Sequence, residues 1–145
     1  MSNLSASVRR DIGYMQAGRD ASDIFGGLKT DESIKIVTHS MGGAYGKGYA
    51  AGLMDYKAAN GISNDIDFEM DFAPYQAEQQ QAVPGVRTYQ FSHDDDWLAP
   101  AKLIQGVERF DHRSAGGNAL LLTPHKIESF KLDFEKWLKS YESHK

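Results

Sequence analysis

The stretch IKIVTHSMGGAYGKGY, residues 34–49, decides how this chain folds. It opens with β-branched residues, which favour a strand, and closes with small residues and tyrosines at helical spacing. Ser40 stands at the junction. Gly42 is predicted to avoid a collision between a Cβ and neighbouring backbone, and Gly43 to let the helix approach the strand closely. The stretch therefore predicts a strand, a sharp turn that carries a serine, and a helix.

Hydrophobic patterns elsewhere in the chain predict the remaining helices and strands. Residues 76–85 are predicted to form a polar loop, and residues 101–118 to be irregular. The predicted elements, in chain order, are helix 4–25, strand 33–39, helix 42–60, strand 65–74, strand 86–92, strand 119–123 and helix 124–142. Because helices and long connections separate the strands, we predict a three-layer α/β domain with a mostly parallel sheet of about four strands.

The same patterns predict which faces of these elements are buried. Apolar residues in the first and last helices recur every three or four positions, which indicates a buried stripe on each. Apolar and acidic residues alternate in strand 65–74, so we expect its acidic face to contact solvent. The predicted buried positions are Leu4, Val8, Ile12 and Met15 in the first helix and Ile127, Phe130, Phe134, Trp137 and Tyr141 in the last. The acidic face consists of Asp65, Asp67, Glu69 and Asp71.

Composition limits the classes of function. The 145 residues carry a net charge of −4 with no basic stripe, which argues against nucleic acid as a partner. The absence of cysteine excludes disulfides and cysteine-based zinc or catalytic sites. No apolar run in the sequence has the length of a membrane span or a signal peptide, and no nucleotide-binding motif is present. We therefore expect one soluble domain over residues 1–145 without a cofactor, either a cytoplasmic protein or a module of a larger exported polypeptide.

The segment THSMGG, residues 38–43, resembles the nucleophile elbow of the α/β-hydrolase superfamily, the Gly-x-Ser-x-Gly pattern of lipases and esterases. Thr38 departs from that pattern, since it stands where the first glycine is usual. The resemblance implies that Ser40 is a nucleophile and that the backbone N–H of Met41 contributes to an oxyanion hole. It covers only the C-terminal half of the fold, because the usual hydrolase has several strands before its elbow.

The superfamily's chain order of serine, acid and histidine directs attention to the acidic loop HDDDWLAP, residues 93–100. DWLAP resembles the loop that carries the hydrolase acid, with Asp96 in the place of the acid. Asp95 and Asp94 are the alternatives, and three adjacent aspartates are also typical of a solvated turn or a helix N-cap. Their spacing does not match a calcium-binding loop, so no metal site is predicted.

Five histidines compete for the role of general base. His125 follows the predicted strand 119–123 and opens the last helix, which is where the resemblance places the catalytic histidine. His112 lies in a charged, glycine-rich segment and is the alternative. His39 adjoins Ser40, but consecutive residues of a strand point to opposite faces, which argues against it.

These residues predict a serine hydrolase that cleaves carboxylic esters through a Ser40–His125–Asp96 triad and an acyl-enzyme, with a small-molecule or lipid ester as substrate. Hydrolases take a second oxyanion donor from a loop before the elbow. Gly26 and Gly27 are the nearby candidates, and a helix C-cap explains them better. The alternative is therefore a non-catalytic, hydrolase-like interaction or toxin-associated module that lacks a complete oxyanion hole. Acyl transfer from the same triad is a third possibility.

Overall fold

The computed structural model describes residues 4–116 and 122–143. These residues form a four-stranded sheet in the order β1-β2-β3-β4, in which every neighbouring pair is parallel. The helices and strands are α1 (Ala6–Gly26), β1 (Ile34–His39), α2 (Gly42–Ala59), β2 (Ile66–Phe72), β3 (Thr88–His93), β4 (Arg109–Arg113) and α3 (Lys131–Ser143), with 3-10 turns at Ala77–Gln79, Thr123–His125 and Ile127–Phe130. Because all four strands run the same way, their carboxyl ends lie along one edge of the sheet.

Two apolar cores, one on each face of the sheet, give the three layers. One core joins the sheet to α3 through aromatic residues such as Phe68, Phe72 and Trp137. The other joins the sheet to α1 and α2 and includes Phe25 and Leu53. The predicted three-layer α/β class with a parallel sheet is therefore confirmed. No helix within the described ranges is long and apolar enough to cross a membrane.

Helix α1 packs closely against α2, and the face that it buries is not the predicted one. A Cβ on Gly48 would lie 1.8 Å from the carbonyl oxygen of Arg10, so only glycine permits this approach. The predicted stripe is wrong: Val8, Ile12 and Met15 are 41%, 43% and 60% exposed. Close backbone contact selects small residues for most of this interface, and Val8, Ile12 and Met15 are left outside it. The buried residues of α1 are Ala6, Arg9, Gly13, Ala17, Ala21 and Phe25.

The acidic face of β2 is also not where the sequence predicts. Glu69 is 1% exposed and Asp71 is 0% exposed, because Lys47 of α2 lies against both carboxylates. The prediction that this face contacts solvent is therefore wrong for the second half of the strand. A period of two identifies which residues share a face, but it does not identify what covers that face.

The C-terminal part of the fold differs from the prediction in two places. A fourth strand, Arg109–Arg113, lies within the segment 101–118 that was expected to be irregular. The predicted strand 119–123 falls partly outside the described residues, and Leu122 and Thr123 lie in a left-handed turn and a 3-10 turn. The last helix then begins at Lys131 instead of residue 124. Its predicted stripe is buried at Phe130 and Trp137, whereas Ile127 and Phe134 are 44% and 38% exposed.

Candidate active site

Ser40 occupies a sharp corner between β1 and α2. Its backbone is left-handed, with φ of +58°, a conformation that costs a non-glycine residue about 1–3 kcal/mol. Three backbone hydrogen bonds hold it there. The Ser40 N–H donates to the Phe72 carbonyl at 2.9 Å, and the Ser40 carbonyl accepts from the N–H groups of Gly43 at 3.3 Å and Tyr75 at 3.0 Å. The corner is thus fixed by the start of α2 and by the loop after β2.

The close approach of α2 to β1 falls at Gly46 and explains why Thr38 is tolerated. A Cβ on Gly46 would lie 2.5 Å from the Cγ2 methyl of Thr38. The helix therefore makes room for the threonine that replaces the usual glycine. A Cβ on Gly42 would meet Thr38 at 3.6 Å, an ordinary contact, so the predicted collision at that position is wrong.

His125 reaches the serine from a different part of the chain. Its Nε2 lies 2.7 Å from Ser40 Oγ, although the two residues are 85 positions apart. His125 ends the 3-10 turn Thr123–His125, which follows a left-handed residue, Leu122, with φ of +56°. This turn carries the imidazole to the carboxyl edge of the sheet, beside the end of β1.

Asp96 fixes the other side of the imidazole. Its Oδ2 lies 2.7 Å from His125 Nδ1, and its Oδ1 accepts the backbone N–H groups of Leu98 and Ala99, each at 3.0 Å. The side chain of Asp96 is fully buried and that of His125 is 11% exposed. Since the carboxylate is an acceptor, the imidazole proton belongs on Nδ1, which leaves Nε2 free to accept from the serine hydroxyl.

The three adjacent aspartates contact three different partners. Asp94 lies 2.8 Å from His112, and both side chains are about half exposed. Asp95 accepts the Ala115 N–H at 2.8 Å. Burial acts to raise the pKa of Asp95, but this and other hydrogen bonds outweigh it, so the pKa lies below its usual value. Asp96 is the one of the three that contacts His125.

The other histidines within the described residues make contacts other than one with the serine hydroxyl. His93 is buried and stacks on Phe130, and His112 pairs with Asp94. His144 lies outside the described residues. His39 does approach the site: its Nε2 lies 2.7 Å from the backbone carbonyl oxygen of His125. The alternation of side chains along a strand does not predict this contact. His39 is the last residue of β1, and its ring contacts a turn beyond the end of the strand.

The backbone N–H of Met41 is available at the start of α2. Within residues 4–116 and 122–143, this N–H has no hydrogen-bond acceptor. The N-terminus of a helix carries a partial positive charge, which favours a developing oxyanion. Gly27, the other residue considered for such a role, caps α1 and donates its N–H to the carbonyls of Asp23 and Ile24.

An ionic cluster that the sequence did not predict lies directly beneath this corner. We call Lys47, Asp71 and Glu69 the buried cluster; none of them is more than 1% exposed. Lys47 Nζ lies 2.6 Å from Asp71 and 3.3 Å from Glu69, and it donates to the Gly43 carbonyl at 3.4 Å. The Thr38 hydroxyl donates to Asp71. A lysine among the small residues of α2 was the signal that could have revealed the cluster, since a buried lysine needs an acidic partner.

Burial and mutual contact shift the pKa values of two members of the cluster. Burial, followed by the neighbouring Asp71 side chain, raises the pKa of Glu69 well above its usual value. Burial alone would lower the pKa of Lys47, but the carboxyl groups of Asp71 and Glu69 outweigh it and raise that pKa. Glu69 therefore holds its proton more tightly than an exposed glutamate does, and Lys47 keeps its charge.

An apolar groove of about 510 Å³ begins beside the serine. Thr38, His39 and Gly42 form its near end, and Ile36, Tyr45 and Tyr49 contribute to its walls. Comparisons of the chain with protein-family models, with curated proteins and with solved structures give no match. The resemblance to α/β hydrolases therefore stays a prediction from the sequence.

Proposed function

We propose that the protein is a serine hydrolase that cleaves carboxylic esters through an acyl-enzyme. The supporting observation is a continuous proton relay: Ser40 Oγ to His125 Nε2 at 2.7 Å, and His125 Nδ1 to Asp96 Oδ2 at 2.7 Å. The three residues come from the ends of different elements, and a hydroxyl, an imidazole and a carboxylate in this order are the components of a nucleophilic triad.

The acylation step follows from the protonation states. His125 Nε2 accepts the proton of Ser40 as Oγ attacks the ester carbonyl carbon and forms a tetrahedral adduct. Asp96 keeps the Nδ1 proton in place and stabilises the imidazolium. The Met41 N–H donates to the oxyanion, an interaction that is worth about 3–4 kcal/mol per donor in serine proteases. The adduct then collapses, and His125 returns the proton to the departing alkoxide, which leaves as an alcohol.

The second half of the reaction uses the same groups in reverse. His125 Nε2 takes a proton from water as the water oxygen attacks the acyl-enzyme, and it then protonates Ser40 Oγ as the carboxylic acid leaves. The apolar groove that begins at His39 and Gly42 favours an ester with an apolar acyl group as the substrate. No cofactor enters this sequence of steps.

The direct test is covalent labelling with a fluorophosphonate together with hydrolysis of a p-nitrophenyl ester. We expect the parent protein to be labelled at Ser40, and Ser40→Ala to abolish both labelling and turnover. Ser114→Ala is the matched control, because Ser114-Ala115-Gly116 repeats the Ser-x-Gly triplet at an exposed position. Folded parent protein that neither labels nor turns over ester would contradict the proposal and favour the non-catalytic module.

A further inference from the structure

His39 is a second histidine in direct contact with the relay. Its Nε2 lies 2.7 Å from the backbone carbonyl oxygen of His125, and the two rings are 5.2 Å apart between centroids. A carbonyl oxygen is only an acceptor, so His39 must carry its proton on Nε2 and donate it. The proposed mechanism assigns no step to His39, and the contact joins residues 86 positions apart in the chain.

The other hydrogen bonds of this backbone segment stay near the turn or lead to β3. The His125 N–H donates to the Leu122 carbonyl at 2.9 Å, and Ser129 Oγ donates to the carbonyls of Pro124, at 3.4 Å, and Lys126. Ser129 in turn contacts His93 of β3. None of these bonds reaches β1, whereas the His39 donor connects the backbone of His125 to that strand, which leads into Ser40.

We propose that His39 is a positioning residue that keeps His125 Nε2 within hydrogen-bond distance of Ser40 Oγ. This inference rests on the proposed function for its kinetic consequence, although the structural link itself does not. Both the serine and the histidine are then placed from one strand end, so that their separation does not depend on the turn alone. A misplacement of about 1 Å can cost on the order of 10²-fold in rate.

Three substitutions separate the donor from the bulk of the side chain. In His39→Gln, the amide nitrogen lies near the position of the imidazole Nε2 and can donate to the same carbonyl. His39→Leu removes the donor at similar volume. His39→Phe removes the donor but retains a ring beside His125, and it provides the comparison if the leucine variant does not fold. Circular dichroism in the far ultraviolet checks the fold of each.

The kinetic measurement is kcat and KM for a p-nitrophenyl ester. We expect His39→Leu and His39→Phe to lower kcat by about 10- to 100-fold, because the lost contact orients a catalytic group. His39 also lines the apolar groove, so a change in KM is expected in all three variants, whereas the loss of kcat is expected only in the two that lack the donor. We expect His39→Gln to recover most of the parent kcat. Parent-like kcat in the leucine and phenylalanine variants would overturn the inference.

A second measurement does not require turnover. The nitrogen-15 chemical shifts of the His125 ring, assigned with His125→Gln, report which ring nitrogen carries the proton. The parent and His39→Gln should show a ring protonated at Nδ1, whereas the leucine and phenylalanine variants should shift towards the averaged values of a free imidazole. If the parent is inactive but these shifts are seen, the proposed function fails and the positioning role stands. If the parent is active and the shifts do not move, the positioning role fails.

Discussion

Two groups of polar side chains in this protein contain similar residues but differ in their hydrogen bonding. One is the relay of Ser40, His125 and Asp96, and the other is the buried cluster of Lys47, Asp71 and Glu69. Each centres on an aspartate that accepts from a nitrogen on another element, at 2.7 Å in the relay and 2.6 Å in the cluster. The cluster is closed, because Lys47 also bonds to Gly43 and Asp71 also accepts from Thr38. The relay ends on the hydroxyl of Ser40, which is only partly buried.

This difference indicates what each constellation can do. Removal of one partner from a buried ion pair leaves an uncompensated charge in the interior, which strongly destabilises the fold. A relay that ends on a partly buried hydroxyl can pass a proton to and from a substrate. Substitutions should therefore separate the two: relay variants should lose rate and keep stability, and cluster variants should lose stability first.

The largest expected effect is that of Asp96→Asn on turnover. Asparagine can keep the two backbone hydrogen bonds that Asp96 Oδ1 accepts. Its amide nitrogen would then donate to His125 Nδ1, which places the imidazole proton on Nε2. Nε2 faces the serine hydroxyl and could then no longer accept its proton. We expect kcat for a p-nitrophenyl ester to fall by about 10⁴-fold while the free energy of unfolding changes by less than about 1 kcal/mol.

The neighbouring aspartates give the controls for that variant. Asp94→Asn and Asp95→Asn alter groups that contact His112 and Ala115, not His125. They should therefore retain kcat within about threefold of the parent, since surface changes away from a catalytic group have small effects. Equal losses in all three variants would show that the loop, and not the Asp96 contact, matters for turnover.

The second effect is that of Lys47→Met on stability. The substitution leaves Asp71 buried without its cation, which costs about 3–5 kcal/mol in comparable buried pairs. Urea unfolding followed by tryptophan fluorescence measures the loss. The matched control is Lys35→Met, because Lys35 pairs with Asp67 at 3.1 Å with side chains that are 46% and 28% exposed. A surface pair contributes about 0–1 kcal/mol, so similar losses in both variants would contradict the cluster's role.

The third effect concerns Thr38, which lies between the two constellations. Thr38→Val keeps the methyl group that faces Gly46 but removes the hydroxyl that donates to Asp71. Hydrogen bonds to a charged acceptor contribute about 1.5–3 kcal/mol, against about 0.5–1.5 kcal/mol for a neutral one. Thr88→Val is the control, since Thr88 is buried and donates to the neutral carbonyl of Val86. A smaller loss of unfolding free energy for Thr38→Val than for Thr88→Val would contradict the strength expected of the Thr38–Asp71 hydrogen bond.

The sequence predicted the elements whose signals are local. The β-branched run 34–37 and the corner at Ser40 indicate β1 and the start of α2 without reference to anything distant. The strand Arg109–Arg113 could not be predicted in this way. Four of its five residues are charged or histidine, and it forms because its backbone pairs with β3 at the edge of the sheet.

The positions of the candidate site residues were predictable in part. Ser40 was predicted from its place after a strand and before a helix. His125 was predicted from the hydrolase resemblance, although Leu122 and Thr123 before it lie in turns, and the contact of Asp96 with His125 distinguishes it from Asp94 and Asp95. The buried cluster depends on Lys47 meeting residues 22 and 24 positions away. The contact of His39 with the His125 carbonyl depends on the path of the turn at residue 125. The alternation of residues along a strand does not predict that path.

The smallest effect, and the one that separates the members of the buried cluster, is the pH dependence of Glu69→Gln. Burial beside Asp71 raises the pKa of Glu69 in the folded protein above the usual value of 4.5. The native state therefore binds the proton more tightly than the unfolded chain does, and the stability that Glu69 contributes is full below about pH 4.5 and declines as the pH rises towards the raised pKa. Glutamine cannot ionise, so Glu69→Gln loses this decline.

We expect the free energy of unfolding of Glu69→Gln, relative to the parent, to increase as the pH rises above about 4.5, with a slope of at most about 1.4 kcal/mol per pH unit. Urea unfolding of both proteins at matched pH values gives the difference directly, and other titrating groups cancel. Glu78→Gln is the control, because Glu78 is exposed and its difference from the parent should stay flat. A flat difference for Glu69→Gln would show that the pKa of Glu69 is not raised in the folded protein and would contradict the effect of burial argued for this cluster.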